Sequence, residues 1–219
     1  MSLKEHTVKS YDKDLQSLAG TLDEMAHLVA GSLDFVSRAI SNIDENLLDE
    51  ITTHDYKINS LDFLVEKKIT AILAMRQPMA VDLRYIVSAL KVSSNLERIG
   101  DQAKSIIKKI LKIKAKKFDS NVQNSLKTML ELSKVMVHDS VDAFNNHNAE
   151  EADEVLRNDD KIDQIYSNLF GILEQDNFNR DQVTNIINIL FIAKSFERLA
   201  DHSTNIAEIA KYVVTGETK

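Results

Sequence analysis

Residues 95–104 read NLERIGDQAK, and residues 195–204 read SFERLADHST. Each stretch carries Glu-Arg-x-x-Asp, so Glu97 and Asp101 recur as Glu197 and Asp201 exactly one hundred positions later. Around the first copy, apolar residues fall at Leu96, Ile99, Ala103, Ile106, Ile110 and Ile113, spaced alternately by three and four. The second copy repeats the spacing with Phe196, Leu199, Ser203, Ile206, Ala210 and Val213. That alternation is the heptad pattern of a helix that packs on partner helices along one stripe.

Outward from these stretches the periodicity stays helical. Breaks divide the chain into six predicted helices, over residues 15–41, 47–75, 81–114, 122–145, 150–174 and 182–214. Asn42 and Asp44 suit a turn, and Gln77-Pro78 stops the second helix because the residue before proline avoids the α region. Phe118-Asp119-Ser120 supplies a turn and an N-cap. The polar runs 145–148 and 176–179 read as loops, with Asn179 or Asp181 near the last cap. Helices of this length are about 40 Å long, the scale of bundles.

The two halves correspond in more than the opening motif. MAHLVAGSLDF at Met25 matches MVHDSVDAF at Met136, placing His27 over His138. DYKINSL at Asp55 matches DDKIDQI at Asp159, placing Lys57-Ile58 over Lys161-Ile162. Three elements recurring in order indicate a tandem duplication. The expected architecture is all-α: two tandem three-helix bundles of six long antiparallel helices, with repeats over 1–118 and 119–219.

Composition agrees with long helices and excludes several functions. The chain of 219 residues has five Gly, one Pro and no Trp, too few breakers for a sandwich or barrel. It has no Cys, so disulfides and thiolate metal sites are excluded. A net charge of −7 argues against a nucleic-acid binder. The basic run 104–117 is the local exception and reads as the solvated end of the third helix, where cations favour the C-terminus. No run of about 18 apolar residues predicts a bilayer span, and the first residues lack the apolar core of a signal peptide. A cytoplasmic location follows as the expectation.

With Leu96 at position a of the heptad, Glu97 is b and Asp101 is f, on the side opposite the apolar stripe. Residues four apart on a helix stand roughly 5–6 Å apart at Cβ, and like charges there repel unless a cation lies between them. The second helix adds an acidic row of its own: Asp55, Asn59, Asp62 and Glu66. Placed beside the third helix, Asp55 and Asn59 would converge with Glu97 and Asp101. In the second half, Asp159 and Asp163 would converge with Glu197 and Asp201, with Glu208 on the same face. These eight residues are the candidate metal ligands, on two strips expected to face solvent. Carboxylates without thiolates suit hard or borderline ions. The alternative is a solvated polar face with Arg98 and Arg198 paired to neighbouring acids. A repeated choice of residue types favours the cation sites.

Other features have plainer readings. Met25 and Met136 lie on apolar stripes and read as core. His202, His27 and His138 are secondary candidates for ligation. Around Pro78, Arg76, Asp82 and Arg84 form either a helix corner with Asp82 near the N-cap or, with two arginines beside a helix N-terminus, an oxyanion site. The corner is the preferred reading. No phosphate-binding loop, nucleophile elbow or Cys/His dyad is present.

The segments RQPMAVDLRYIVSALKVSSNLERIGDQAKSI and FIAKSFERLADHSTNIAE resemble the PhoU family of bacterial phosphate-uptake regulators. The resemblance spans nearly the whole chain, and the family's repeated acidic signature falls on Glu97/Asp101 and Glu197/Asp201. It implies two three-helix bundles, often dimeric and here a homodimer, some of which bind iron clusters or other ions on their acidic faces, with Fe, Mn, Mg or Zn as the candidates here. It implies a non-enzymatic regulator standing between the ATPase subunit of the phosphate ABC transporter and a sensor histidine kinase. Such a regulator restrains uptake and the starvation response and meets the membrane only through its partners. Two departures bear on the first site: Asn59 stands where the second half has Asp163, and Lys104 follows Asp101 by three. The competing classes are a metal-dependent carboxylate-bundle hydrolase or oxidase and a purely structural bundle. Di-iron bundles use Glu-x-x-His pairs facing inward, which neither acidic motif contains.

Overall fold

The computed structural model describes residues 9–113, 118–173 and 180–217. They form six helices: α1 (Lys9–Ser41), α2 (Leu47–Arg76), α3 (Ala80–Ile110), α4 (Ser120–Asn146), α5 (Ala149–Leu173) and α6 (Arg180–Thr215). The fold is all-α, two tandem three-helix bundles. Each expected helix is present, and most ends shift by one or two residues. α1 begins six residues earlier than expected, at Lys9. α3 also differs, ending at Ile110 instead of running on to Lys114. There Lys112 N–H bonds to Lys109 O and Ile113 N–H to Ile110 O, three residues back. This tighter winding carries Ile113 into the core, where it is 7% exposed. The basic residues Lys114–Lys117 and the expected break at 176–179 lie outside the described residues.

Caps fix the turns. Asp44 Oδ1 accepts the Asn46 N–H at 3.0 Å between α1 and α2. Asp119 caps α4 by accepting the Asn121 N–H at 2.9 Å. Asn148 Oδ1 accepts the N–H groups of Glu150 and Glu151 at the start of α5. His147 ends α4 in the left-handed region at φ 56°. At the Pro78 corner, Gln77 and Ala80 both take positive φ, 47° and 48°.

Within each half the three helices pack on one another: α1, α2 and α3 in the first, α4, α5 and α6 in the second. The halves join through α3 against α6, the most extensive contact, and through α1 against α4. α2 and α5 are therefore the flanking helices. Every residue of both heptad stripes is buried. Together with Leu18, Leu22, Met25, Val29, Ile51, Ile58, Met136 and Phe144 they belong to one continuous core. Ser203 is the polar member of its stripe, satisfied by donating to Leu199 O at 3.2 Å.

α3 and α6 run antiparallel, and three side-chain contacts mark the register. Arg84 Nε donates to Val213 O at 3.1 Å, Asn95 Oδ1 meets His202 Nδ1 at 3.0 Å, and Lys109 Nζ donates to Ser195 Oγ at 2.8 Å. The Pro78 corner is structural. Arg76 is paired with Asp14 at 2.9 Å, Arg84 caps the last turn of α6, and burial, followed by the nearby Asp82, pushes the Tyr11 hydroxyl up to about 12. Both arginines are thus committed to the fold rather than to an oxyanion.

Candidate cation sites between the second and third helix of each half

The apolar stripe of α3 faces inward, so Glu97 and Asp101 stand away from it, as the heptad requires. Asp101 is exposed as expected, whereas Glu97 is half-buried. α2 leans against α3, and the acids fall into the groove between the two helices. Asp55 is 9% exposed and Glu97 is half-buried, while Asp101 and Asn59 keep exposed edges. The strips are grooves because the flanking helix covers one side of each acidic row.

In the first groove, Lys104 reaches from α3 to α2, and its Nζ lies 2.5 Å from Asp55 Oδ2. Their side chains are only 20% and 12% exposed. Asp101 lies near enough to Asp55 for the two carboxylates to repel each other. Burial and then Asp55 push the Asp101 carboxyl up, while Lys104 pulls it back down. Burial, followed by Asp101, Asp62 and Asp55, likewise raises Glu97. The groove therefore gathers Asp55, Asp62, Glu97 and Asp101, with the Lys104 ammonium at its Asp55 and Asp101 end.

The second groove has the same acids in register and a different cation. Asp159 is held up at about 6, first by burial and then by Asp163, Asp201, Asp160 and Glu197. Asp163 is raised by burial and by Glu197 and Asp201. Lys194 sits one turn before Glu197 on α6 and holds Glu197 Oε1 at 2.5 Å, its own side chain 41% exposed. Asp159 Oδ1 and Glu197 Oε2 are buried and have no hydrogen-bond partner among the described residues. At the position corresponding to Lys104 stands Thr204, whose hydroxyl donates to Asp201 O of its own helix at 2.8 Å.

The grooves thus unite the expected residues on each side, with Asn59 at the exposed margin of the first. Among the described residues, no three carboxylate or imidazole side chains already stand in a metal-ligating arrangement. The second groove nevertheless fits a cation by its donor set, because bare buried carboxylate oxygens call for positive charge. Side-chain rotation would be needed to close them on an ion.

The secondary candidates lie elsewhere. Glu208 lines a cavity of about 1100 Å³ between α3 and α6, with Arg84, Lys91 and Tyr212. It shares a helix face with Asp201 but sits two turns farther along α6. His202 turns toward Asn95, and burial, then Arg98, pushes its pKa down. His27 Nδ1 bonds Asp23 O of its own helix at 2.8 Å, and His138 lies beside Asp139 and Asp142 on α4. Among the described residues neither Arg98 nor Arg198 forms an ion pair. Two participants went unassigned in the sequence reading. Asp62 was visible in the α2 row, and Lys194 was visible as a base three residues before Glu197.

This architecture is a duplicated all-α bundle with one carboxylate groove per copy. The PhoU domain family model matches residues 22–110 and 126–210. The chain is 35% identical over 216 residues to the phosphate-specific transport system accessory protein PhoU homolog of Caulobacter vibrioides, covering 98% of this chain and 94% of that protein. It is 33% identical over 213 residues to the homolog of Zymomonas mobilis, covering 97% and 90%. The crystal structure of the phosphate transport system regulatory protein PhoU from Streptococcus pneumoniae matches with a TM-score of 0.85 at 28% identity, over 95% of this chain and 99% of that one. PhoU from Pseudomonas aeruginosa matches with a TM-score of 0.84 at 27% identity, over 94% and 100%. The chain belongs to the PhoU family.

Proposed function

We propose that this protein is a non-enzymatic accessory regulator of phosphate transport, restraining high-affinity uptake and the phosphate-starvation response when phosphate is plentiful. The observation that carries this reading is the full-length match to proteins named for the phosphate-specific transport system, over a duplicated acidic bundle. The partners are the ATPase subunit of the phosphate ABC transporter and the sensor histidine kinase, met on the cytoplasmic side by a homodimer of two-repeat chains, 1–118 and 119–219. No helix among the described residues is long and apolar enough to cross a membrane, in keeping with contact through partners.

The acidic grooves serve this role as cation sites for Fe, Mn, Mg or Zn. Asp159, Asp163, Glu197 and Asp201 would hold the ion in the second half, and it would supply the positive charge that four crowded carboxylates lack. The bare oxygens of Asp159 and Glu197 support this over a purely solvated face. Deleting the gene and measuring phosphate accumulation tests the regulatory role. Excess accumulation reversed by the wild-type gene is expected, and unchanged accumulation would reject it. Co-purification with the ATPase subunit under phosphate-replete conditions tests the partner.

A further inference from the structure

We infer that Lys104 is a built-in counter-ion that closes the first acidic groove to metal, so that the two halves, though duplicated, differ in what they bind. The inference rests on the metal reading above and refines it.

The argument compares matched positions. Lys104 and Thr204 occupy the same register on α3 and α6, three residues after Asp101 and Asp201. The Lys104 ammonium is drawn inward across the groove to Asp55, the most buried acid of the set, at 2.5 Å. An Asp55 oxygen that an ion would need is therefore already occupied by the ammonium. Asn59 then replaces a carboxylate with a neutral amide where the second half has Asp163. Both changes lower the negative charge offered to an ion.

Lys194 does not do the same work in the second groove. It pairs within its own helix, stays half-exposed and holds a single oxygen of Glu197. It leaves Glu197 Oε2 and Asp159 Oδ1 bare. A divalent ion needs several oxygens at about 2.0–2.2 Å, which an ammonium held on the most buried carboxylate forestalls and one held on a single oxygen of Glu197 does not.

The test measures Mn²⁺ bound per full-length chain by elemental analysis and calorimetry. The proteins compared are wild type, Lys104→Thr, Lys104→Gln, Glu97→Gln, Asp159→Asn/Glu197→Gln, and this double variant combined with Lys104→Thr. Wild type is expected to bind on the second half only, losing its Mn²⁺ with Asp159→Asn/Glu197→Gln. Lys104→Thr is expected to gain Mn²⁺, about doubling the load, and to keep that gain in the combined variant. If wild-type Mn²⁺ survives Asp159→Asn/Glu197→Gln and is lost with Glu97→Gln, the first groove is loaded despite Lys104 and the inference falls while the metal reading stands. If the second groove binds and neither Lys104 variant gains Mn²⁺, the inference falls alone.

Absence of Mn²⁺ from every protein would reject the metal reading, and thermal unfolding then decides the counter-ion role. Lys104→Thr should melt lower than wild type in chelator, and adding Asp101→Asn should restore the loss. An unchanged melting temperature in Lys104→Thr would overturn the inference on that ground too.

Discussion

At Asp159 a proton would compete with the metal ion proposed above for the same oxygen. Its carboxyl is held at about 6 in the fold against 3.8 for the ordinary side chain. A raised carboxylate pKa means the folded chain binds the proton more tightly than the unfolded chain. Its ionisation therefore lowers stability as pH rises from 3.8 to about 6, and the penalty is constant above that window. After discounting for solvent screening, the penalty is about 1 kcal/mol. Asp159→Asn should accordingly melt about 2–4 °C higher than wild type at pH 7.5 in chelator. The gain should shrink below pH 5, and adding Mn²⁺ should raise wild type but not the variant. Scanning fluorimetry across pH, with and without metal, checks all three. At this scale the sequence told much but not everything. It placed Glu97, Asp101 and their duplicates opposite the apolar stripe, yet it could not show α2 leaning over them. Lys104 stood out as a departure, but its target, Asp55, lies 49 residues away and is supplied by tertiary packing.

Helix ends and helix spacing carry the next set of consequences. Asp119 caps α4 through its side chain, so Asp119→Ala should cost about 1 kcal/mol, read as a lower urea midpoint at unchanged slope. Gly100 lies between Glu97 and Asp101 on α3, where an added Cβ would stand 2.9 Å from Ile58 Cδ1 on α2. Ile58 is fully packed and has little room to yield. Gly100→Ala should lose about 1 kcal/mol net, an overpacking cost of about 1–3 kcal/mol partly offset by about 1 kcal/mol of helix propensity. Equilibrium urea unfolding checks it. The second half carries Ala200 at this register, so its flanking helix tolerates a methyl that the first half lacks. The helices themselves were legible because sustained apolar periodicity and sparse breakers leave few alternatives. Asp119 was legible for its capping chemistry. The positive φ of Gln77 and Ala80 was not, because neither residue type announces it and the corner is held by Arg76, Asp14, Tyr11 and Asp82 from three helices.

Across the whole molecule, one core runs through both halves. Urea unfolding followed by far-ultraviolet dichroism and by tyrosine fluorescence should therefore give one coincident transition. Two separated transitions would mean the halves melt independently despite the contact of α3 with α6. Duplication and the bundle class were readable from recurring motifs, but the joining of α3 to α6 was not, since its contacts pair residues more than 80 apart.

The antiparallel crossing of α3 and α6 relates the two repeats by an approximate half-turn, and Lys104 spoils that equivalence. A body with two interchangeable faces would accept the same visitor in two poses. This one has a front and a back, one groove neutralised from within and the other left hungry for charge. If the second groove alone takes an ion, a partner that senses charge would meet each chain in a single orientation.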